Sequence, residues 1–135
     1  MTKELAYVLS QESIAAGIYS MVLKVSFAGE VLPGQFVSLF SKDASRLLPR
    51  PISICESSAE DGTIRLVYRI AGAGTLEFSG LGAGDTIPVL GPLGNGFPVD
   101  EFAESRVLLV GGGIGIPPLL SCARKLKDKT CAVGY

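Results

Sequence analysis

The chain has 135 residues, of which 47% are hydrophobic and 19% charged, with a net charge of −1. That length allows one domain of ordinary size, or one domain with a piece of a second, and the composition favours a buried core over disorder. A balance this near neutral offers no basic excess for nucleic acid or an anionic membrane, and no apolar run reaches the roughly 18 residues that span a bilayer.

The N-terminal Met1-Thr2-Lys3-Glu4 lacks the apolar stretch of a secretory leader, so a cytoplasmic protein is expected. Cys55, Cys122 and Cys131 are odd in number and widely spaced. That pattern fits reduced thiols and offers no metal-ligand spacing. There is no histidine, which removes histidine as general base, triad member or metal ligand. Chemistry must come from other side chains or from a bound cofactor.

Along the chain, residues 4–11 are a first strand. Residues 18–27 alternate, with Tyr19, Met21, Leu23, Val25 and Phe27 on one face and Ser20, Lys24 and Ser26 on the other. Pro33-Gly34 turns the chain into a third strand at 35–40, and a fourth is expected at 52–56. Asp61-Gly62 marks a turn before a fifth strand at 63–70, and 85–90 is a sixth. Short strands with no long helix between them point to a six-stranded antiparallel barrel, mainly β. Residues 106–110 then form a continuous apolar strand, followed by a glycine-rich turn. Pro117 and Pro118 stand at the start of a helix over 119–127, and 130–133 is a further strand. This is the opening of a βαβ unit of an α/β domain. One helix and two strands leave a sheet face uncovered, so the α/β domain is expected to be incomplete and the chain truncated.

Four segments are candidates for chemistry. In the first, Leu48-Pro49-Arg50-Pro51-Ile52-Ser53-Ile54, two prolines hold Arg50 extended, and its guanidinium can meet a phosphate with two parallel hydrogen bonds. Ser53 is expected on the arginine's side of the strand and Ile52 on the opposite side. A surface arginine at a strand start is the alternative. In the second, Val67-Tyr68-Arg69 leads into Gly72-Ala73-Gly74-Thr75, whose glycines let backbone approach a phosphate and whose threonine is placed to cap a short helix. A capped loop without a ligand is the alternative. Gly91-Pro92-Leu93-Gly94-Asn95-Gly96-Phe97 is a turn-rich connector. In the last, Gly111-Gly112-Gly113-Ile114-Gly115 joins strand to helix, a form suited to a dinucleotide pyrophosphate, although Ile116 breaks the full G-x-G-x-x-G. A tight turn with no ligand also fits. Cys55, Cys122 and Cys131 are expected to pack as small hydrophobes.

In this order the four segments resemble the ferredoxin–NADP reductase superfamily over about residues 3–135. The resemblance implies a Greek-key FAD-binding barrel over residues 1–100 and the start of an NAD-binding α/β domain over 101–135. It implies that Arg50, Pro51, Ile52, Ser53, Val67, Tyr68, Arg69, Gly74 and Thr75 contact FAD. Arg50, Gly74 and Thr75 would meet its phosphates, and Ile52 and Ser53 its flavin. Gly111, Gly112, Gly113, Ile114 and Gly115 would meet a nicotinamide nucleotide. Most members carry an aromatic residue where Ile52 stands. Isoleucine there, with the Leu-Pro-Arg-Pro and Gly-Pro-Leu-Gly-Asn-Gly-Phe stretches, is most similar to the electron-transfer subunits of dihydroorotate dehydrogenase B.

That branch implies FAD, a 2Fe-2S cluster and an FMN-containing catalytic partner in a heterotetramer. Electrons pass from dihydroorotate to NAD+ in pyrimidine biosynthesis. The four cysteines that hold the family's cluster have no counterparts in this sequence. The chain alone is therefore expected to bind no cluster, to bind FAD weakly, to handle NAD unproductively and to be inactive. The alternatives are a related ferredoxin, NADP or sulfide-type reductase subunit, or a cofactor-free barrel that acts as a binding module.

Overall fold

The computed structural model describes residues 1–134. Six strands form a closed antiparallel barrel: β1 (Thr2–Ala15), β2 (Ile18–Lys24), β3 (Phe36–Leu39), β4 (Arg50–Ser58), β5 (Thr63–Arg69) and β6 (Thr86–Leu93). Their spatial order is β1-β2-β5-β4-β3-β6, the expected Greek-key crossing. Helix α1 (Ala73–Ser79) links β5 to β6. Beyond the barrel, β7 (Arg106–Gly112) and β8 (Asp128–Gly134) pair in parallel, joined through α2 (Leu119–Lys125).

The alternation in β2 puts Met21 and Leu23 inside the barrel, and Val25 and Phe27 continue the buried row past the strand's end. With Leu39, Ile64, Leu66 and Ile87 they form the main core. Asp61-Gly62 does turn the chain between β4 and β5, with Gly62 at φ 65°, where a side chain is disfavoured.

β1 is longer than its sequence pattern indicated, because it serves two neighbours. Thr2 to Tyr7 pair with β6, and Tyr7 to Ala15 pair with β2. Register shifts between Val8 and Ser10 and between Ser13 and Ala15 break the two-residue period, so the part of β1 beyond the expected end at Gln11, from Glu12 to Ala15, does not read as strand. Helix α2 ends at Lys125, short of the expected residue 127, because Leu126 turns extended and fills the second core. That smaller cluster holds Val99, Leu109, Cys122 and Leu126. Val99 thus packs with the β7–β8 body, although it precedes the boundary expected at residue 100.

Cys55 and Cys122 are buried as expected, but Cys131 is exposed, which corrects its reading as a core residue. β8 pairs only with β7 and is exposed along its length, so no layer covers Cys131. Tyr135, the last residue of the expected second domain, lies outside the described residues. No helix is long and apolar enough to cross a membrane among the described residues.

Candidate functional site

A cleft of about 440 Å³ opens on the barrel wall where β4 and β5 lie side by side. Its lining contains Arg50, Pro51, Ile52 and Ser53 from β4, and Val67, Tyr68 and Arg69 from β5. Ala71, Thr75 and Ile114 complete it. Eight of the nine residues expected to contact a flavin nucleotide therefore converge on one cleft, brought there by the β4–β5 pairing.

The ninth, Gly74, stands behind Arg50. A Cβ at Gly74 would lie 2.8 Å from Arg50 Nε and 3.0 Å from its Cγ, so the arginine side chain runs across the first turn of α1. Only a residue without a side chain leaves room for it.

The charge arrangement is uneven. Arg46, Arg65, Arg106 and Arg124 each pair with a carboxylate. Among the described residues, the two arginines without such a partner are Arg50 and Arg69, and both line the cleft. Two unneutralised guanidiniums on one concave surface make a local positive field, suited to a ligand with paired anionic groups.

Two sequence expectations need correction here. β4 places Arg50 opposite Leu39 and Ile52 opposite Val37. Opposed residues of an antiparallel pair share a face, so Arg50 and Ile52 lie together and Ser53 falls on the other side with Pro51. Ile52 accordingly packs against the barrel core, and Ser53 is exposed. Second, Thr75 is not the helix cap. Gly72 holds that position, and Thr75 lies in the first turn. Its hydroxyl accepts from the Ala71 N–H at 2.8 Å and donates to the Gly72 carbonyl at 3.2 Å. It therefore fixes the loop that forms the cleft's floor.

Tyr68 has its phenol buried, and its hydroxyl donates to Gln11 Oε1 at 2.6 Å. Gln11 in turn donates to the Phe78 and Leu81 carbonyls at the end of α1, at 2.9 and 2.6 Å. The Tyr68 ring stacks on Tyr19, with centroids 6.0 Å apart. Gln11 carried no sequence signal as a supporting residue, because it lies within the polar stretch of β1.

Burial, reinforced by the neighbouring Tyr19, pushes the Tyr68 phenol well above its ordinary value of 10.0. A folded value above the unfolded one stabilises the neutral form, so this contribution is present below about pH 10 and lost as pH rises past it. Urea midpoints measured from pH 8 to 11 should therefore fall at the alkaline end (the range brackets the free phenol's value). Tyr68→Phe should be less stable at neutral pH by roughly 1–3 kcal/mol, because Gln11 loses its partner, yet show a shallower alkaline fall. Equal slopes for the two proteins would refute this.

Of the glycine-rich turn, only Ile114 reaches the cleft wall. Gly111 is held by packing, since a Cβ there would meet Leu119 Cδ1 at 2.7 Å. Gly113 adopts φ 53°, and a Cβ there would lie 3.7 Å from Arg69. A Cβ at Gly112 or Gly115 would meet nothing within 4 Å, so those two face open space.

No protein-family model matches the chain. It is 46% identical over 123 residues to the electron transfer subunit of dihydroorotate dehydrogenase B from Streptococcus pneumoniae strain R6, a match covering 90% of this chain and 48% of the relative. Over at least 90% of its own length the chain is thus similar to the electron transfer subunits of dihydroorotate dehydrogenase B. The Listeria monocytogenes (strain F2365) subunit is 43% identical over 129 residues, covering 95% of this chain and 51% of that one. The chain thus spans about half the length of the curated relatives it matches.

Among solved structures, the NADH-dependent reduced ferredoxin-NADP oxidoreductase superposes with a TM-score of 0.83 at 31% identity, over 96% of this chain and 47% of that one. A ferredoxin NADP+ reductase from Neisseria gonorrhoeae, solved with bound FAD and NADP, shares the fold at a TM-score of 0.80 and 17% identity, over 98% of this chain and 57% of that one. Like the electron transfer subunits, these neighbours are redox proteins, and the barrel is of the ferredoxin-reductase type.

Proposed function

We propose that the cleft between β4 and β5 holds FAD, and that residues 1–100 form a flavin barrel followed by the start of a nucleotide-binding domain. The chain is then the flavin-binding part of a dihydroorotate dehydrogenase B electron-transfer subunit. In that role it passes electrons from dihydroorotate to NAD+ by way of an FMN-containing partner subunit and an iron–sulfur cluster. The observation that carries this reading is the pair of arginines, Arg50 and Arg69, left without carboxylates on the wall of one cleft.

The residues fit the cofactor by their chemistry. Arg50 and Arg69 neutralise the pyrophosphate, and Gly74 lets the Arg50 side chain lie flat enough to do so. Thr75 holds the loop through its own hydrogen bonds, leaving neighbouring backbone N–H groups for the ligand. Ile52, Val67 and Ile114 give the isoalloxazine an apolar surface and keep water from it. The bound flavin supplies the electron relay, which is why a chain without histidine suffices. Gly112 and Gly115, facing open space, leave room for a second nucleotide beside Ile114.

A related ferredoxin–NADP reductase subunit is the second reading, favoured by the structural neighbour at 31% identity; the 46% identity to the dihydroorotate dehydrogenase subunit weighs against it. The deciding measurement is reconstitution. The purified chain, incubated with FAD and freed of excess, should be yellow, with flavin absorbance at roughly 450 nm. A colourless protein that retains no FAD at micromolar concentration would mean that the barrel is a cofactor-free binding module.

A further inference from the structure

β4 carries two features within a few residues. Its first residues line the cleft, and at Cys55 it bulges. Ile54 stands opposite Leu66 and Glu56 opposite Arg65, so β4 takes two steps where β5 takes one, and Cys55 is the extra residue. The bulge frees the Cys55 carbonyl from the ladder. Ser121 of α2 donates its hydroxyl to that carbonyl at 2.7 Å. The next residue, Glu56, is held between two arginines. Arg65 of β5 approaches its Oε2 at 2.7 Å, and Arg124 of α2 bonds its Oε1. Arg65 is itself steadied by Ser20, whose Oγ accepts from Nε at 3.0 Å.

Helix α2 is therefore pinned to the barrel wall by polar contacts one turn apart, at Ser121 and Arg124. The turn immediately before it carries Ile114 into the cleft and Gly113 near Arg69. Beside these polar contacts, Cys55 and Val67 of the barrel and Leu120 and Ala123 of α2 line one apolar cavity, while the small core under α2 faces β7.

We infer that Glu56, with Ser121 and Arg124, is a positioning latch that sets how closely the glycine-rich turn approaches the cleft. It rests on the reading of the cleft as a flavin site only for its purpose, which is to hold the nucleotide turn against the flavin. The contact itself is independent of that reading. Glu56 is the centre, since its carboxylate bonds Arg65 of the barrel and Arg124 of α2 at once. Its side chain is 21% exposed, whereas that of Arg124 is 64% exposed, so the arginine's removal leaves the barrel's interior untouched.

Amide hydrogen exchange on the flavin-free chain tests it. In Glu56→Gln and Arg124→Gln, amides of residues 113–125 should exchange roughly three- to tenfold faster, as expected for losing a half-exposed ion pair. Amides of β1, β2 and β5 should keep their rates. Arg124→Lys, which keeps the charge, should restore protection to within about twofold of the original chain. Unchanged exchange at 113–125 in both glutamine variants overturns the latch. Acceleration spread equally over the barrel also overturns it, since Glu56 would then be stabilising the fold generally. If the chain binds no FAD, the cofactor reading fails while these exchange rates still decide the latch.

Discussion

Replacing Arg50 by methionine is expected to weaken FAD binding by about 30- to 150-fold, with the barrel's stability nearly unchanged. The number follows from what is removed. A guanidinium that meets a phosphate with two charge-assisted hydrogen bonds contributes roughly 2–3 kcal/mol, and every 1.4 kcal/mol is tenfold in affinity. Methionine keeps most of the aliphatic stem that packs across Gly74. Among the described residues Arg50 has no carboxylate partner to strand, so no buried charge is left behind. Arg50→Lys should fall between the two, because it restores the charge but not the planar fork. Titration of each variant with FAD, followed by flavin fluorescence, reads the effect. A loss of less than threefold for Arg50→Met would exclude the arginine as the phosphate ligand.

Phe78→Ala should have the largest effect on stability, roughly 3–5 kcal/mol, a substantial share of what a domain of this size possesses. Phe78 is 1% exposed and is the apolar anchor of α1 in the barrel core. A helix of seven residues does not hold itself together in water, so α1 depends on this side chain and on the Gln11 bonds to the carbonyls of Phe78 and of Leu81 just past its end. Because Gly74 and Thr75 lie on the same helix, the variant should also bind FAD more weakly than its residual folded fraction explains. Urea denaturation with a parallel FAD titration measures both. A midpoint shift equivalent to less than 1 kcal/mol would show that α1 is held by other means, since cavity formation alone costs more.

The site was legible where local chemistry is written in adjacent residues. Arg50 between two prolines, and Gly74 followed by Thr75, each carry a physical rationale that needs no partner strand. Their meeting in one cleft also depends on the register of β4 on β5, which neither segment specifies alone. Strand alternation itself puts Arg50 and Ile52 on one face and Ser53 on the other, and pairing with Leu39 and Val37 on β3 decides that the face of Arg50 and Ile52 is the one toward the core. Thr75 was recognised as a residue that bonds backbone, but the helix begins three residues earlier than a cap at Thr75 requires. Gln11 was invisible, since a glutamine among polar neighbours looks solvated until Tyr68 and the end of α1 are brought to it.

The amino-acid sequence by itself determined the strand-rich barrel, the shift to a βαβ unit near Arg106, and the residue types able to meet a dinucleotide. These follow from hydrophobic period, turn residues and composition, all local along the chain. Tertiary structure alone decided that, among the described residues, Arg50 and Arg69 stand without carboxylates while the other four arginines are paired. It also decided that Cys131 is exposed and that the Cys55 bulge and Glu56 receive α2. Charge pairing and burial depend on which distant segments meet, and that is set by the closure of the barrel rather than by any one segment's pattern.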